Sequence, residues 1–575
     1  MNVSPQLSVI VPTYNRRTVL AQCLSTVLAA DFPSSGFEVV VVVDGSTDGS
    51  ADYLRRLAPP CSLLIVEQHN RGLAAARNAG AKAAAGDLIL FLDDDIRCPP
   101  KLLASHVQAH QRADTALVVC GPLLPDPYSC DGLAADWMAR SCYEHLAMMS
   151  RNGGRLQRYQ AWVGPNFSMP RSLFLAQGGY DEALRGALED ADFGFRLCDA
   201  GVNFHFEPSA VAYHIYAKST RDMVRRDARR YGANSVLLCR KHPHYRARSP
   251  LAQLGAGPWR KTWSRQALAR CPFAAEVPLS AWCWSAERLR HLVRLRCLGT
   301  QALQWRSSVM HLRGALEEAG SWAALRREFG VTLPVLRYVP IGRSSAYGEA
   351  AMAQQQLERD LRWLAQKGYT GIRPSQWLTW LREGKALPDN PVLLAFSQEA
   401  FTSFEDALAA VQRYGFGAVV LLATRRPGSI PRQDSMASMS FKQIRLWARR
   451  GIEFGVAGHT QQELAALNFA DLVDEVSDSQ RELTAIVGEQ VLVFAYPHGV
   501  YDERIQAAVS QTFSLALTYT KGLNNLANDP FMMKSSAVVY GQSLIELWCQ
   551  ARWGYNPLRR ERDHRSGRPA RLSRG

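Results

Sequence analysis

The sequence alternates short runs of β-branched and other apolar residues with helical segments, and polar or acidic residues follow each run. Three such runs, Leu7–Val11, Phe37–Val43 and Leu88–Leu92, lie in the first hundred residues. Strands that alternate with helices predict an α/β fold with a mostly parallel sheet covered by helices on both faces. Ligands bind such sheets beyond the carboxyl ends of the strands. The polar residues that follow the three runs should therefore meet at one crevice.

Three consecutive aspartates, Asp93, Asp94 and Asp95, follow the third run directly. Adjacent carboxylates repel one another and raise each other's pKa values unless a cation lies among them. Carboxylate oxygens prefer a hard divalent ion such as Mg²⁺ or Mn²⁺. The alternative is a solvated acidic turn, which the position directly after an apolar strand disfavours.

A second acidic segment, Glu189-Asp190-Ala191-Asp192, precedes Arg196. In a helix, Asp192 and Arg196 are i,i+4 partners, and Glu189 and Asp190 lie at the N-terminal end. A carboxylate that is held there and faces a substrate is well placed to act as a general base. The alternative is an acidic turn that only caps the helix.

These segments belong to an ordered series of motifs: VPTYNR, VVDGSTD, NRGLAAARNAG, FLDDD, GGYDE and EDADFGFR. The series resembles the family 2 glycosyltransferases of the GT-A fold, a Rossmann-like arrangement, over about 240 residues. The resemblance implies a transferase that takes a nucleotide-diphosphate sugar and inverts the anomeric centre. It also implies a divalent metal cofactor, Mn²⁺ or Mg²⁺.

The resemblance also implies a role for each matching residue. Asp190 matches the catalytic base. The implied metal contacts are Asp94, Asp95 and His214. The implied contacts to the nucleotide sugar are Pro12, Thr13, Tyr14, Asp44, Arg77, Asp93 and Asp94. One departure is Val43, because the family often has an additional aspartate before Asp44.

The positive charge of the chain is concentrated in its middle. The formal net charge is +15, and residues 201–344 hold 24 basic and 8 acidic side chains, a local net charge of +16. Within this region Ser280–Arg296 combines Trp, Leu and Arg residues in a helical pattern, which favours contact with an anionic membrane surface. The alternative is a connector helix that packs on the domains. No nucleic acid partner is expected.

A second series of motifs follows residue 334: GYTGI, PDNPVLLAF, YGFGAVV, GHTQQE and FAYPHG. This series resembles the polysaccharide deacetylases over some 200 residues. The resemblance implies a distorted (β/α) barrel that removes acetyl groups from glycans with a metal bound by one Asp and two His residues.

The residues that carry this chemistry are not kept. Ser397 and Gln398 replace the paired aspartates of the family, and Val339 replaces a common histidine. The pair of histidine ligands is reduced to His459 with Glu463, a degenerate second metal site. A site without its base and its anionic ligand should bind metal weakly. We expect an inactive module that binds glycan or acts as a scaffold, although a site rebuilt from Glu399 and Glu463 stays open.

These patterns predict a chain of four segments. They are a glycosyltransferase domain (1–245), a basic helical connector (246–333), a deacetylase-like domain (334–557) and a basic tail (558–575). No apolar run approaches the roughly 20 residues of a membrane-spanning helix, and no secretory signal is visible at the N-terminus. We therefore expect a cytoplasmic protein in peripheral contact with the inner face of the membrane.

The predicted function is transfer of a sugar to a glycan or lipid-linked acceptor in bacterial surface or exopolysaccharide synthesis. Two alternatives remain at this point. The chain is a bifunctional glycosyltransferase and deacetylase, which Ser397-Gln398 disfavours, or a non-catalytic glycan-binding scaffold, which the aspartate triplet and Asp190 disfavour.

Overall fold

The chain divides into two units. The computed structural model describes residues 5–128, 132–150, 163–216, 219–255, 293–339, 347–397, 403–424, 439–458 and 464–557, and individual residues at 278, 280–282, 284, 285, 288, 400, 435 and 436. The first unit comprises residues 1–245 and 259–322, and the second comprises residues 246–258 and 323–575. The segment predicted as a connector is thus divided between the two units. Among the described residues, no helix has the length and apolar character needed to cross a membrane.

The first unit is built on a mixed sheet. Its strands are β1 (Leu7–Thr13), β2 (Phe37–Asp44), β3 (Ser62–Gln68), β4 (Leu88–Phe91), β5 (Ile96–Arg97), β6 (Leu117–Cys120), β7 (Leu123–Pro125), β8 (Phe167–Pro170), β9 (Asn203–Phe206) and β10 (Ala212–His214). Seven of them form the main sheet in the order β3-β2-β1-β4-β8-β6-β9, in which only β8 runs antiparallel to its neighbours. A second, three-stranded sheet has the order β5-β10-β7, in which β10 is antiparallel to β5 and parallel to β7. The mostly parallel sheet that the sequence predicts is confirmed.

Helices flank this sheet. They are α1 (Arg17–Val27), α2 (Ser50–Arg55), α3 (Leu73–Ala83), α4 (Leu102–Gln111), α5 (Leu133–Ser150), α6 (Arg171–Ala176), α7 (Glu189–Asp199), α8 (Thr220–Asp222), α9 (Arg229–Lys241) and α10 (Val293–Ala319). A π-helical turn, Met223–Ala228, joins α8 to α9. Strand β2 is buried along its whole length, as expected for a parallel strand that is covered on both faces.

Helix α3 packs unusually close to the sheet. A Cβ atom on Gly80 would lie 2.5 Å from Ile10 Cγ2, so only glycine allows this approach. The other residues on the buried side of α3 are mostly alanines. The close packing brings Arg77, one turn earlier, against the strand ends, where it is only 1% exposed.

Helix α10 belongs to the first unit because it crosses α9 at very short range. A Cβ atom on Gly232 would overlap the backbone carbonyl of His311, and one on Gly314 would overlap that of Arg229. Arg229 Nε also donates to Glu317 Oε2 over 2.6 Å. The described C-terminal part of the basic middle segment therefore packs as a domain helix.

The second unit is an α/β half-barrel. Its strands are β11 (Val335–Tyr338), β12 (Thr370–Gly371), β13 (Pro391–Ser397), β14 (Ala418–Leu422), β15 (Ser435–Met436), β16 (Met439–Ser440), β17 (Glu453–Val456), β18 (Val493–Ala495), β19 (Leu515–Leu517) and β20 (Ser536–Val538). Its helices are α11 (Trp322–Phe329), α12 (Tyr347–Gln366), α13 (Pro374–Glu383), α14 (Phe404–Arg413), α15 (Phe441–Arg449), α16 (Phe469–Val487), α17 (Glu503–Thr512) and α18 (Leu544–Trp553). The main sheet has the order β19-β18-β17-β14-β13-β11-β20, with β12 beside β13, and all its pairs are parallel.

Candidate active site

A cavity of about 940 Å³ opens at the carboxyl ends of β1, β2 and β4 in the first unit. Of the residues predicted for this site, all except Arg77 line the cavity: Pro12, Thr13, Tyr14, Asp44, Asp93, Asp94, Asp95, Asp190 and His214. Arg77 lies buried beneath them. The three strand ends therefore meet at one crevice, as the order of strands in a parallel sheet requires.

Asp44, at the end of β2, fixes the loop that leads into α3. Gln68 Nε2 donates to its Oδ1 over 2.7 Å, and the backbone N–H groups of Arg71 and Gly72 each donate over 2.8 Å. Asp44 is only 4% exposed. The structure thus gives Asp44 a positioning role that the sequence did not indicate.

Arg77 is the cation of a buried carboxylate cluster. Its Nη2 donates to Asp93 Oδ1 over 2.7 Å, its Nη1 donates to Glu189 Oε1 over 3.3 Å, and the ring of Tyr180 lies 5.4 Å from the guanidinium carbon. Burial raises the pKa of Glu189 to about 7, and repulsion from Asp190 acts in the same direction. Through these two contacts Arg77 joins the end of β4 to the start of α7. Removing one partner of such a buried pair costs about 3–5 kcal/mol.

Asp190 lies in the first turn of α7, where a helix terminus favours negative charge. Leu188, the residue before the helix, adopts a left-handed backbone conformation with φ of 63°, which is costly for a branched side chain and persists only where the surroundings enforce it. Asp190 Oδ1 accepts from the backbone N–H of Ala191. Its Oδ2 lies 3.4 Å from the position of a Cβ atom on Gly164 across the cavity, so the facing residue leaves space beside the carboxylate.

The rest of α7 is held by a second ionic cluster. Arg196 Nε donates to Asp192 Oδ2 over 3.0 Å, which confirms the predicted i,i+4 pair. Lys241 Nζ and His242 Nε2 lie 2.7 and 2.8 Å from Asp192 Oδ1. Burial opposes ionisation of Asp192, yet these partners outweigh it and lower its pKa to about 2. Asp192 therefore anchors the helix that carries Asp190.

Asp94 and Asp95, the other two aspartates of the triplet, both pair with the side chain of Arg16. Arg16 Nη1 donates to Asp94 Oδ1 over 2.6 Å, and its Nη2 donates to Asp95 Oδ2 over 2.9 Å. Thr13 Oγ1 donates to Asp94 Oδ2 over 2.8 Å. His214 Nε2 lies 3.3 Å from Asp95 Oδ2. Arg16 thus pairs with both carboxylates, and all three residues line the cavity.

The donor set also suits a divalent cation. Asp95 Oδ1 is buried and has no hydrogen-bond partner among the residues that the structure describes, and an oxygen of this kind is costly unless a cation or donor is present. Burial, which outweighs the charge of Arg16, raises the pKa of Asp94 to about 7. Within the described ranges, however, no three His, Cys, Asp or Glu side chains form a ready metal site. A metal here would share the carboxylates with Arg16 or displace it.

Sequence reasoning did not identify three residues of this site. Arg16 lies inside the quoted VPTYNR motif, and its position after a strand end opposite an acidic triplet could have indicated the contact. For Glu189 the sequence predicts only a place at the N-terminal end of a helix, without the contact to Arg77. Asn166, with φ of 70°, donates its Nδ2 to the carbonyls of Pro122 and Ala210 and accepts at Oδ1 from His106. Its partners are distant in sequence, so no local pattern could have revealed them.

Only some of the residues predicted for the second unit lie in the part of the chain that the structure describes. Ser397 ends β13 and is partly buried, and Val339 follows β11. Gln398, Glu399, His459 and Glu463 lie outside the described residues. The predicted second metal site is therefore left as a prediction.

Three family models match the chain. Residues 8–130 match Glycosyl transferase family 2, residues 88–335 match Glycosyl transferase family group 2, and residues 384–514 match Polysaccharide deacetylase. Both resemblances that the motifs indicated are thereby confirmed.

Relatives of known name match the first part of the chain. Validoxylamine A glucosyltransferase from Streptomyces hygroscopicus subsp. jinggangensis is 31% identical over 221 residues, which cover 34% of this chain and 52% of that protein. An uncharacterized glycosyltransferase from Bacillus subtilis is 26% identical over 288 residues, 42% of this chain and 71% of that protein. The chain spans about half the length of the validoxylamine A glucosyltransferases that it matches.

Among solved structures, the mannosyltransferase PcManGT from Pyrobaculum calidifontis, in complex with GDP-Man and Mn²⁺, is 22% identical. It covers 56% of this chain and 88% of its own, with a TM-score of 0.36. The Streptococcus pyogenes deacetylase PplD, in complex with acetate, is 19% identical and covers 38% of this chain and 97% of its own, with a TM-score of 0.34.

Proposed function

The chain joins a family 2 glycosyltransferase domain to a polysaccharide deacetylase-like domain, and we propose that it transfers a sugar from a nucleotide-diphosphate sugar to an acceptor hydroxyl with inversion. One observation carries the proposal: Asp190, at the start of α7, lines the same cavity as the aspartate triplet at the end of β4. The acceptor is a glycan or a lipid-linked sugar of surface or exopolysaccharide synthesis.

In the proposed reaction Asp190 accepts the proton of the acceptor hydroxyl as the hydroxyl oxygen attacks the anomeric carbon. Burial raises the pKa of Asp190, which brings a carboxylate closer to the basicity that a general base needs. The neighbouring Arg77 stays charged and limits this rise, so Asp190 can still ionise.

The donor binds along the strand ends. Pro12, Thr13, Tyr14 and Asp44 contact the nucleotide, and Arg77 with Asp93 supports that surface from below. A divalent ion, Mn²⁺ or Mg²⁺, held by Asp94, Asp95 and His214, would neutralise charge on the leaving diphosphate. The buried Asp95 Oδ1 without a partner in the described part of the chain supports this ligand set.

A thermal-shift screen of UDP-, GDP-, dTDP- and CDP-sugars, with and without Mn²⁺, tests the proposal. A ligand at 100 times its Kd stabilises the folded protein by about 2.7 kcal/mol, which corresponds to a rise in Tm of about 4 °C for a unit of about 310 residues. We expect such a rise with at least one nucleotide sugar, and a larger one with Mn²⁺. The free sugars serve as controls. No shift with any nucleotide sugar would contradict the proposal.

For the second unit, we propose a deacetylase-like module without deacetylase activity, which binds glycan or acts as a scaffold. Ser397 at the end of β13 supports this, since a hydroxyl replaces the carboxylate that would act as base or metal ligand. We expect acetate release from acetylated chitooligosaccharides, with Zn²⁺ or Co²⁺ added, to equal that of a protein-free blank. Release well above the blank would instead favour the bifunctional alternative.

We also propose peripheral contact with an anionic membrane on the cytoplasmic side. Trp282 and Trp284 are exposed, and Arg288 lies 4.1 Å from the Trp284 ring. This combination suits the headgroup layer. Replacing both tryptophans by Ala should weaken co-sedimentation with phosphatidylglycerol vesicles at least threefold, while Trp305→Ala, at an exposed tryptophan of α10, should not. Equal sedimentation with neutral phosphatidylcholine vesicles would contradict the proposal.

A further inference from the structure

The side of the cavity next to Asp190 is basic. Arg185, Arg226 and Arg230 line it, and all three are exposed to the cavity or solvent. Arg226 Nε donates to Asp227 Oδ1 over 2.9 Å. Arg185 and Arg230 have no ion pair with any residue in the described ranges, which leaves two uncompensated guanidinium groups on this side.

Arg230 lies close to the loop that precedes α7, and Arg185 is a residue of this loop. Arg230 Nη1 lies 3.3 Å from the position of a Cβ atom on Gly186, the residue after Arg185. One turn further along α9, Asn234 is buried and donates its Nδ2 to the carbonyl of Ala187 over 2.7 Å. Helix α9 and the loop are thus joined, and both arginines line the same cavity.

A change in helix geometry precedes α9. The π-helical turn Met223–Ala228 comes directly before α9, and π-helical turns occur frequently at functional sites. Asp222, Arg226 and Arg230, spaced four residues apart, all line the cavity. Three charged side chains of this segment thus line the cavity. In the described part of the chain, Asp222 Oδ2 accepts from Ser219 Oγ, Arg226 pairs with Asp227, and Arg230 has no ion pair.

The position of Arg185 and Arg230 indicates which of the two substrates they contact. A general base must lie within hydrogen-bond distance of the acceptor hydroxyl, and Asp190 follows Arg185 by five residues in the same loop and helix start. The donor diphosphate, in contrast, belongs beside Asp94 and Asp95 at the end of β4. The arginines therefore lie on the acceptor's side of the base.

Resting on the proposed function, we infer that the acceptor carries a phosphate group, which Arg185 and Arg230 bind while its hydroxyl faces Asp190. Guanidinium groups match phosphate oxygens in geometry and form paired, charge-assisted hydrogen bonds with them. A phosphate also compensates two like charges that no described residue neutralises. The phosphate is attached either to a sugar or to a lipid.

Calorimetric titrations of the full chain test the inference. The protein is saturated with UDP or GDP and Mn²⁺, then titrated with glucose 1-phosphate, with the uncharged methyl glucoside, and with farnesyl phosphate as the lipid-borne form. We expect binding of at least one phosphate ester and none of methyl glucoside. The double variant Arg185→Gln/Arg230→Gln should bind that ester at least tenfold more weakly, and Arg221→Gln, an exposed arginine of α8, should bind it normally.

Nucleotide affinity distinguishes failure of this inference from failure of the proposed function. If the double variant loses nucleotide and ester binding in parallel, the arginines serve the donor diphosphate and the inference is wrong. Equal binding of methyl glucoside, or no binding of either ester, also overturns it. Failure of the wild type to bind any nucleotide contradicts the proposed function alone. The inference is still tested in that case, because titrations without nucleotide measure whether ester binding depends on the two arginines.

Discussion

Replacement of Asp190 by Asn is expected to lower the rate of sugar transfer by about 10²- to 10⁴-fold, the usual contribution of a general base. Asparagine keeps the size of the side chain and its oxygen, so the contact with the backbone N–H of Ala191 can persist. What is lost is the ability to accept a proton. The measurement is the initial rate of transfer with the donor that the thermal-shift screen identifies.

Donor binding should remain, because the residues assigned to the nucleotide lie at the ends of β1, β2 and β4, whereas Asp190 belongs to the start of α7. Nucleotide affinity within about twofold of wild type would show that the loss concerns the proton transfer. Asp199→Asn, at the exposed end of the same helix, is the matched control and should transfer normally. Near wild-type transfer by Asp190→Asn would contradict the assignment.

The pH dependence gives an independent check of the same residue. Burial raises the pKa of Asp190 above its model-peptide value, which is about 3.9 for aspartate. The base works only when it is ionised, so the transfer rate should fall as the pH drops through this raised pKa. In Asp190→Asn, the residual rate should not show this acid-side decrease.

Local sequence patterns predicted the parts of this fold that depend on neighbours in the chain. The strand ends of β1, β2 and β4 and the helix start at Glu189 follow from apolar runs and spacing alone. Arg77 shows the limit of such patterns. An arginine on a helix is usually exposed, and it is buried here because Gly80 lets α3 approach the sheet and because Asp93 and Glu189, distant in sequence from one another, converge on it.

The second unit shows a different limit. Its framework of parallel strands could be predicted because alternation of strands and helices depends on many residues. Its chemistry depends on a few residues, such as Ser397. The effect of Ser397 on metal binding is determined by the groups around the strand end and not by the strand itself. A matching framework therefore predicts the fold of this unit and leaves its activity to be measured.

Replacement of Asp95 by Asn should abolish measurable Mn²⁺ binding and lower transfer by at least 100-fold. Loss of an outer-shell partner alone typically costs 10–100-fold in metal affinity or activity, and Asp95 is proposed as a direct ligand. The buried Oδ1 of Asp95 has no partner among the described residues, so the metal is the group that would satisfy it. Mn²⁺ affinity is measured by electron paramagnetic resonance of the free ion, which needs no substrate.

The opposite result is expected for Arg16→Gln. Arg16 pairs with both Asp94 and Asp95, so it competes with a metal for the same carboxylates, and its removal should tighten Mn²⁺ binding by about tenfold, equivalent to about 1.4 kcal/mol. Arg17→Gln, the neighbour that pairs with the ring of Tyr53 instead, should leave Mn²⁺ affinity unchanged. Weaker Mn²⁺ binding in Arg16→Gln would mean that Arg16 holds the ligands in place. Opposite shifts in Asp95→Asn and Arg16→Gln would establish that one chain cation and one metal ion exchange at the same pair of carboxylates.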